Sequence, residues 1–403
     1  MSLSDAVNLH YSNHAADWTL AREFYSGDVS SSRLQKGHFE SKSTFQQRRK
    51  RAHIFPYTRQ IISRLSDQIL LRADEVGRET GPVPDAFFAA AGASGESHDL
   101  VMKKLGDYLL LYGEAWLQVL PRPGGARLRV LTPLSAPRYS DRFVMVKGER
   151  TFSDSPFEKE KSLTTYTIHT ASQWVTYVED KEAPEKRREI DRGSYASEGT
   201  DTYFVGEGGE PMPPFVRVQM PWDAVLGVEL AKTHLEMFRL ESQIDARLHT
   251  SLTSSQAVTY GLSEDQQTAV DKAMQKGANM LHLGSSPSDA AIESFDVPVD
   301  ATEMAETRLE KKETRLYETA YQTLAGAEAG ASATEMVVKD KAAAAATATL
   351  AATIQSAEQS ALRLVAQAGD MIQYGGPAAG DPEIGYARSW TDIDWQSAGV
   401  DLE

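Results

Sequence analysis

Residues 223–250, DAVLGVELAKTHLEMFRLESQIDARLHT, and residues 300–324, DATEMAETRLEKKETRLYETAYQTL, decide the fold of this chain. In the first stretch the apolar side chains recur at helical steps, at Leu226, Leu230, Met237, Leu240, Ile244 and Leu248. This spacing predicts one amphipathic helix of about 28 residues, which would be roughly 42 Å long. The second stretch predicts another long helix, which ends at Gly326.

A small α/β unit is predicted between these two helices. Ser263, followed three residues later by Gln266, marks the start of a helix that runs to about Gly277. Strand-like segments flank it, and they are Gln256–Tyr260, Asn279–Leu283 and residues 292–297.

A third long helix is predicted over residues 335–372, after a loop of small residues that begins at Gly326. Its Leu, Ile and Ala positions recur at steps of three and four, and no glycine interrupts it before Gly369. This pattern predicts a helix that packs closely through a narrow face of small side chains. The Gly- and Pro-containing residues from Tyr374 onward are predicted to be irregular.

The N-terminal half combines helices with a β-rich module. Trp18 to Phe24 and Ile61 to Leu70 have helical spacing. The predicted strands are residues 109–120, Arg127–Leu131, residues 143–146, 164–169 and 174–178, and Phe215–Gln219, with a charged loop over residues 179–192. The fold class predicted for the whole chain is therefore α+β.

The composition restricts the classes of function. The formal net charge is −15 and there is no cysteine, which excludes disulfides, iron–sulfur clusters and thiolate zinc sites. A protein that grips DNA needs a basic excess, so any contact with DNA should be weak. The sequence contains no apolar stretch long enough to span a membrane, and we expect no secretory signal in MSLSDAVNLH.

The sequence contains no recognisable catalytic motif. There is no phosphate-binding GxxxxGK[ST] loop, HExxH, GxSxG or EF-hand loop, so we predict a non-enzymatic protein without cofactor or metal. Glu114, inside an apolar segment, is either an acid with a perturbed pKa or a structural carboxylate, which lies at a strand edge or pairs with an arginine. His10 with His14 could form a metal pair, and Asp392 with Asp394 could form a carboxylate pair or keep the C-terminal segment solvated.

The order of these parts, and several local stretches, resemble the portal proteins of tailed bacteriophages. The stretches are Tyr25-Ser-Gly27, residues 45–51 leading into residues 55–62, Leu111-Tyr-Gly-Glu-Ala-Trp116, residues 230–261 and residues 332–366. Together they cover most of the chain as an ordered pattern, although no single piece is diagnostic. Because few residues follow Ile372, a helical crown at the C-terminus is expected to be reduced or absent.

The resemblance implies an elongated subunit with named parts. They are a wing (1–222), a first stem helix (223–255), a clip (256–299), a second stem helix (300–325), a tunnel loop (326–335), a long wing helix (336–372) and a short C-terminal segment (373–403). It also implies a ring, dodecameric in such proteins, at one capsid vertex of the virion and in the host cytoplasm during assembly. The implied partners are further copies of the chain, the large terminase, a head-completion adaptor, the major capsid protein and double-stranded DNA that passes through without tight binding.

The second long helix carries opposite charges on opposite flanks. Arg308, Lys311, Lys312 and Arg315 fall in one sector, and Glu303, Glu306, Glu310 and Glu313 fall roughly opposite. Such flanks can pair acid to base between neighbouring copies, which closes a ring. The alternatives are an ordinary solvated helix, and a helix whose Lys311 and Arg315 line a channel and touch phosphates.

Two further segments have both a functional and a structural interpretation. The tunnel-loop residues Gly326, Glu328, Gly330, Ser332 and Thr334 could approach DNA closely, or they could simply connect two helices. The basic cluster Arg48, Arg49, Lys50 and Arg51 could contact nucleic acid, but a solvated patch or pairing with acids of a neighbouring subunit is favoured. Rival functions are another tail or baseplate structural protein, and a hydrolase whose acids meet only in the fold.

Overall fold

Local sequence signals set the ends of several helices. The Ser97 hydroxyl accepts a hydrogen bond from the Leu100 N–H and so caps the helix that begins at His98. That helix ends at Gly113, whose φ of +72° is the left-handed conformation that glycine adopts without strain. Gly27, also at positive φ, follows the end of the first helix.

In a computed structural model of the chain, the helices are α1 (Leu9–Ser26), α2 (Lys42–Arg51), α3 (Tyr57–Leu70), α4 (Asp85–Ala89), α5 (His98–Tyr112), α6 (Leu226–Thr253), α7 (Val299–Ala325) and α8 (Ala333–Gln373). The structure describes residues 7–37, 42–70, 77–79, 83–122, 125–152, 161–179, 187–195, 204–206, 208–221, 225–253, 256–260, 264–265, 279–283, 291–295, 299–325, 333–373 and 383–385.

The strands form four sheets. They are β1 (Gly77–Glu79), β2 (Glu114–Leu120), β3 (Arg127–Leu131), β4 (Arg138–Ser140), β5 (Phe143–Phe152), β6 (Lys161–His169), β7 (Gln173–Glu179), β8 (Arg187–Ser194), β9 (Phe215–Gln219), β10 (Gln256–Tyr260), β11 (Asn279–Leu283), β12 (Ala291–Phe295) and β13 (Glu383–Gly385). The sheet orders are β1-β13, β3-β2-β9, β4-β5-β6-β7-β8 and β11-β10-β12. Together with the helices they confirm the predicted α+β class.

The chain divides into two compact units. One comprises residues 1–25, 57–231 and 319–403, and the other comprises residues 26–56 and 232–318. Residues 26–56, which were predicted to belong to the N-terminal half, therefore group with the long-helix region. Among the described helices, none carries an apolar stretch that could span a lipid bilayer.

The core of the first unit lies between helices and the β3-β2-β9 sheet. Helix α5 packs against α3 and β2, and α8 packs against β2 and β9. Leu105, Leu117 and Leu362 are among the fully buried side chains there. Gly227 at the start of α6 lies so close to the Leu111 backbone that a β-carbon would clash, which explains a glycine inside an otherwise apolar helix.

Three predicted boundaries were wrong. Residues 109–112 are the last turn of α5, because the Ser97 cap and the buried Val101, Leu105 and Leu109 extend the helix up to Gly113. Residues 187–194, predicted as part of a loop, form β8, since pairing with β7 satisfies their backbone despite the charged side chains. Residues 333–334, placed before the helix predicted over residues 335–372, begin α8, and Ala333 is a residue that favours helix.

The predicted small α/β unit is present in its strands. β10 is central, parallel to β11 and antiparallel to β12. A parallel pair needs a crossover connection, which agrees with the helix predicted from Ser263 to about Gly277. Residues 264–265 are helical, and the remainder of that predicted helix lies outside the described residues.

Candidate functional site: the paired long helices and the contacts that support them

Helices α6 and α7 contact one another in the second unit. Lys312 Nζ donates to Glu236 Oε2 at 2.5 Å. This bond, with the nearby Lys312 charge, holds the pKa of the Glu236 carboxyl below its usual value. Met237 and Ile244 are buried, so the apolar stripe predicted for α6 faces inward, and Leu316 of α7 is buried as well.

A second carboxylate on α6 has no such cation beside it. Glu241 is half-buried, and burial together with the charges of Asp245 and Glu313 raises its pKa to about 7. Three acids therefore converge where α6 approaches α7. No group of His, Cys, Asp or Glu suited to a metal ion occurs in the part of the chain that the structure describes.

The predicted charged flanks of α7 are only partly exposed. Glu306, Arg308, Glu310, Lys311 and Arg315 are exposed. Lys312 and Glu313 are instead half-buried and lie toward α6. These two charges are engaged within the chain, and the side chain of the remaining member of the set, Glu303, lies outside the described residues.

The predicted tunnel loop falls largely outside the described residues. This applies to Gly326, Glu328, Gly330 and Ser332. Thr334 lies in the first turn of α8. The role assigned to these residues stays a prediction.

The basic cluster does not form one surface patch. Arg48 is 4% exposed, and it donates from Nη1 to Ser242 Oγ at 2.9 Å and from Nη2 to the Gln35 carbonyl at 2.6 Å. Arg49 is exposed and donates to Ser31 Oγ at 2.8 Å. Lys50 and Arg51 are also exposed. Arg48 therefore fastens α2 and the preceding segment to α6, and only the other three cations can meet an external partner.

The segment before α2 is held to α6 by a second arginine. Arg239 Nε donates to the Arg33 carbonyl at 3.0 Å. The preceding side chain, Phe238, is buried. Residues 31–37 and α2 are thus part of the support of the first long helix, which periodicity alone did not reveal.

Glu114 is a structural carboxylate. It is 3% exposed, and its Oε2 accepts from Arg217 Nη2 at 2.7 Å and from Gln219 Nε2 at 2.9 Å. His10 Nε2 lies 3.1 Å from the same oxygen, and Trp116 Nε1 donates to Oε1 at 3.2 Å. Of the two alternatives left by the sequence, the arginine-paired one is correct, and Glu114 joins β2, β9 and α1. The His10 ring is tilted against the His14 ring at 4.7 Å between centroids and meets the Trp18 ring edge-on at 5.6 Å.

Comparison with known proteins gives loose structural likenesses. No protein-family model and no curated protein sequence matches the chain. The chain is similar to one in the virion of a native gene transfer agent (GTA) particle, at 13% identity and a TM-score of 0.35, over 94% of this chain and 90% of that chain. It is similar to another in the neck of an empty GTA particle computed with C6 symmetry, at 14% identity and a TM-score of 0.34, over 82% of this chain and 81% of that chain.

Because both TM-scores are below 0.5, these likenesses do not support a particular function, and the function is inferred from the chain's own residues. Two features of the candidate site were not predicted from the sequence. They are the cluster of Glu241 with Asp245 and Glu313, and the burial of Arg48. Glu241 and Asp245 are one helical turn apart beside the apolar stripe of α6, and that spacing was the available signal. Nothing in the sequence distinguished Arg48 from its three basic neighbours.

Proposed function

We propose that this chain is the subunit of a portal-type ring, a non-enzymatic channel for double-stranded DNA at one vertex of a phage-like capsid. The observation that carries the proposal is the arrangement of α6 and α7. The two long helices bracket the β11-β10-β12 sheet and are joined by the Lys312–Glu236 pair, and α8 follows after a short connection. This order matches the stem, clip, second stem and long-helix order of the portal proteins that the sequence resembles.

The exposed charges of α7 support assembly into a ring. At 100° per residue, Glu306 and Glu310 lie about 140–180° from the exposed Arg308 and Arg315, so acid and base face different neighbours. Pairing of two different surfaces is heterologous and closes into a ring when the rotation per subunit permits. Each exposed pair contributes less than about 1 kcal/mol, so the pattern sets the register of the subunits more than their affinity.

The overall charge suits a passage through which DNA slides. A net charge of −15 per subunit disfavours tight phosphate binding across the ring. Because the sequence has no nucleotide-binding motif, the energy for translocation comes from a partner, the large terminase, which we place on the clip at residues 256–298. A head-completion adaptor and the major capsid protein are the other proposed partners.

Negative-stain images and mass photometry of the purified chain test this proposal. A ring with a central pore, of about twelve subunits as in the portal proteins that the sequence resembles, is the expected result. Monomers or open fibres would contradict it, and fibres would favour a tail or baseplate component.

The double variant Glu306→Lys/Glu310→Lys tests the role of the helix flanks. Both side chains are exposed, so the change should spare the fold of the monomer and block ring closure through like-charge repulsion. Glu318→Lys is the control, since it makes one Glu-to-Lys substitution of the same kind on an exposed site about 120° around the helix from Glu306. Rings that form equally well in the double variant would remove the flank argument.

A further inference from the structure

Helix α2 carries a basic face. Residues 42–66 contain seven Lys or Arg residues and no Asp or Glu, although the net charge of the chain is −15. Arg48 is buried and bonds to α6, while the other cations of α2 lie about 60–160° around the helix from it. These exposed side chains form the basic face, which consists of Lys42, Arg49, Lys50 and Arg51.

The basic face is rigidly held and has uncompensated charge. Within the described ranges, no acid forms an ion pair with any of its four cations. The helix that carries it is fixed, because Arg48 is 4% exposed and donates to Ser242 Oγ of α6 at 2.9 Å. A fixed cluster of like charges favours an external surface of opposite sign. Since the chain as a whole is acidic, a second copy offers such surfaces.

Helix α6 lies between the basic face and α7. Arg239 and Ser242 of α6 bond to α2 and to the segment before it. Glu236 bonds to α7, and the charge of Glu313 on α7 acts on Glu241. At 100° per residue, the two α6 residues on the α2 side lie on average about 160° around the helix from the two on the α7 side. The basic face and α7 are therefore held on opposite sides of α6.

The basic face also lies level with a particular part of α7. β10 follows α6, β12 precedes α7 and these strands pair antiparallel, so the two helices run in opposite directions. Glu236 lies beside Lys312. Six residues further along α6, Ser242 is therefore level with Glu306, which lies six residues earlier on α7. Because Arg48 bonds to Ser242, the basic face lies at the height of Glu306.

Helix α7 presents an acidic flank at that height. Its members, Glu306 and Glu310, are both exposed, and neither forms an ion pair with another residue that the structure describes. They lie on average about 120° around α7 from Lys312 and Leu316, of which the first bonds to α6 and the second is buried. The acidic flank is therefore directed away from α6.

We propose that the basic face of α2 in one copy of the chain binds the acidic flank of α7 in the next copy. The proposal rests on the portal-type ring proposed above and names the surface that receives Glu306 and Glu310. The two surfaces differ, lie on opposite sides of α6 and share one height, so the same contact repeats from copy to copy and closes a ring. The charge pairing selects which surfaces meet and in which register.

Reciprocal charge reversal tests the pairing in the full chain. One variant, Arg49→Glu/Lys50→Glu/Arg51→Glu, reverses the basic face, and the other, Glu306→Lys/Glu310→Lys, reverses the acidic flank. Each alone should raise the concentration needed for ring assembly by about tenfold or more, because like charges then face each other. A 1:1 mixture should assemble again into rings in which the two variants alternate. Native mass spectrometry would then count equal numbers of both.

The possible results distinguish this contact from the ring itself. Rings that form as readily from the α2 variant as from the wild type would overturn the contact and leave the portal-type ring in place. A mixture that does not assemble would also overturn it, whereas a monomeric wild type would contradict the ring as well. If the α2 variant assembled normally but lost affinity for a duplex DNA oligonucleotide, the basic face would be a phosphate contact and the proposal would be wrong.

Chemical cross-linking locates the contact without reversing a charge. The sequence contains no cysteine, so Lys50→Cys/Glu306→Cys supplies the two reactive thiols of each copy. These sites lie on opposite sides of α6, so a short bismaleimide should join different copies and give a ladder of covalent oligomers.

Lys50→Cys/Glu318→Cys is the matched control for the cross-link. Glu318 is exposed on the same helix but lies about 18 Å along its axis from Glu306. The control should form the ladder at least about tenfold more slowly, because its thiols are held apart. Equal rates for the two pairs, or cross-linked monomers in place of the ladder, would overturn the proposal.

Discussion

Glu114 and Glu241 are both carboxylates withdrawn from solvent, yet Glu114 is surrounded by hydrogen-bond donors and Glu241 by other acids. Glu114 lies between an arginine, a glutamine, a histidine and a tryptophan, and every partner is a donor. Glu241 lies near Asp245 and Glu313, and its pKa is raised to about 7. Burial is expensive for both charges, but only Glu114 recovers that cost through hydrogen bonds.

The two carboxylates therefore affect the stability of their regions differently. The Glu114 network joins α1 to the β3-β2-β9 sheet through contacts to both carboxylate oxygens. The Glu241 cluster leaves the contact between α6 and α7 sensitive to pH near neutrality. The first region is a fixed anchor, and the second is adjustable.

The largest expected effect comes from breaking the anchor. Glu114→Ala should lower the free energy of unfolding of the first unit by about 3–4 kcal/mol, because it leaves Arg217 without its carboxylate. Urea denaturation followed by tryptophan fluorescence measures this, since Trp116 lies in the network. Glu149→Ala, an exposed site on β5, is the control and should shift stability by less than about 0.5 kcal/mol. A loss as small as in the control would mean that Glu114 is not an anchor.

The buried Arg48 should rank between the two carboxylates. Arg48→Ala removes the bonds to Ser242 and Gln35, and we expect a loss of about 2 kcal/mol in the second unit. Exchange of the α6 amides near Ser242 reports the change. Arg51→Ala, which truncates an exposed arginine of the same helix, should leave those amides unaffected. Equal effects of the two variants would mean that Arg48 stabilises the second unit no more than an exposed arginine of α2 does.

The smallest effect should depend on pH. The folded pKa of Glu241, about 7, exceeds its ordinary value of 4.5, so the folded chain binds more protons than the unfolded chain in that window and stability falls as pH rises through it. Glu241→Gln should therefore stabilise the α6–α7 contact at pH 8, by about 1–2 kcal/mol after allowance for solvent screening, and change little at pH 4.5. Amide exchange in α6 across this range measures it.

Glu236→Gln on the same helix is the matched control for that pH profile. Lys312 holds the pKa of Glu236 below 4.5, so its stabilisation is present above that pH and is lost as pH falls through the lowered pKa. The substitution Glu236→Gln should therefore destabilise the α6–α7 contact slightly at pH 8, which is the opposite sign to Glu241→Gln. The same sign for both variants would refute the contrast between paired and unpaired acids.

Periodicity located the long elements because a helix of many turns repeats its signal. The stripe from Leu226 to Ile244 predicted α6, and the alternation in Arg127–Leu131 predicted β3. The misses occurred where one segment fits two structures. Residues 109–112 are apolar enough for a strand or a buried helix, and only the cap at Gly113 decides. Residues 187–194 are too charged to look like a strand, and β7 makes them one.

The candidate sites were less predictable than the fold because they depend on distant partners. Arg48 and Ser242 are far apart in sequence, and nothing local distinguishes the buried arginine from its exposed neighbours. Likewise, Glu313 was expected on an outward acidic flank, and its approach to Glu241 follows from how two helices meet.

The sequence by itself determined the α+β class, the order of long helix, small sheet and long helix, and the absence of recognisable catalytic motifs, because these depend on repeat period and residue type. Only the tertiary structure decided which charges are withdrawn from solvent and which acids are paired. Those properties are set by neighbours that lie distant along the chain, and burial alters the energy of a charge far more than its position in the sequence does.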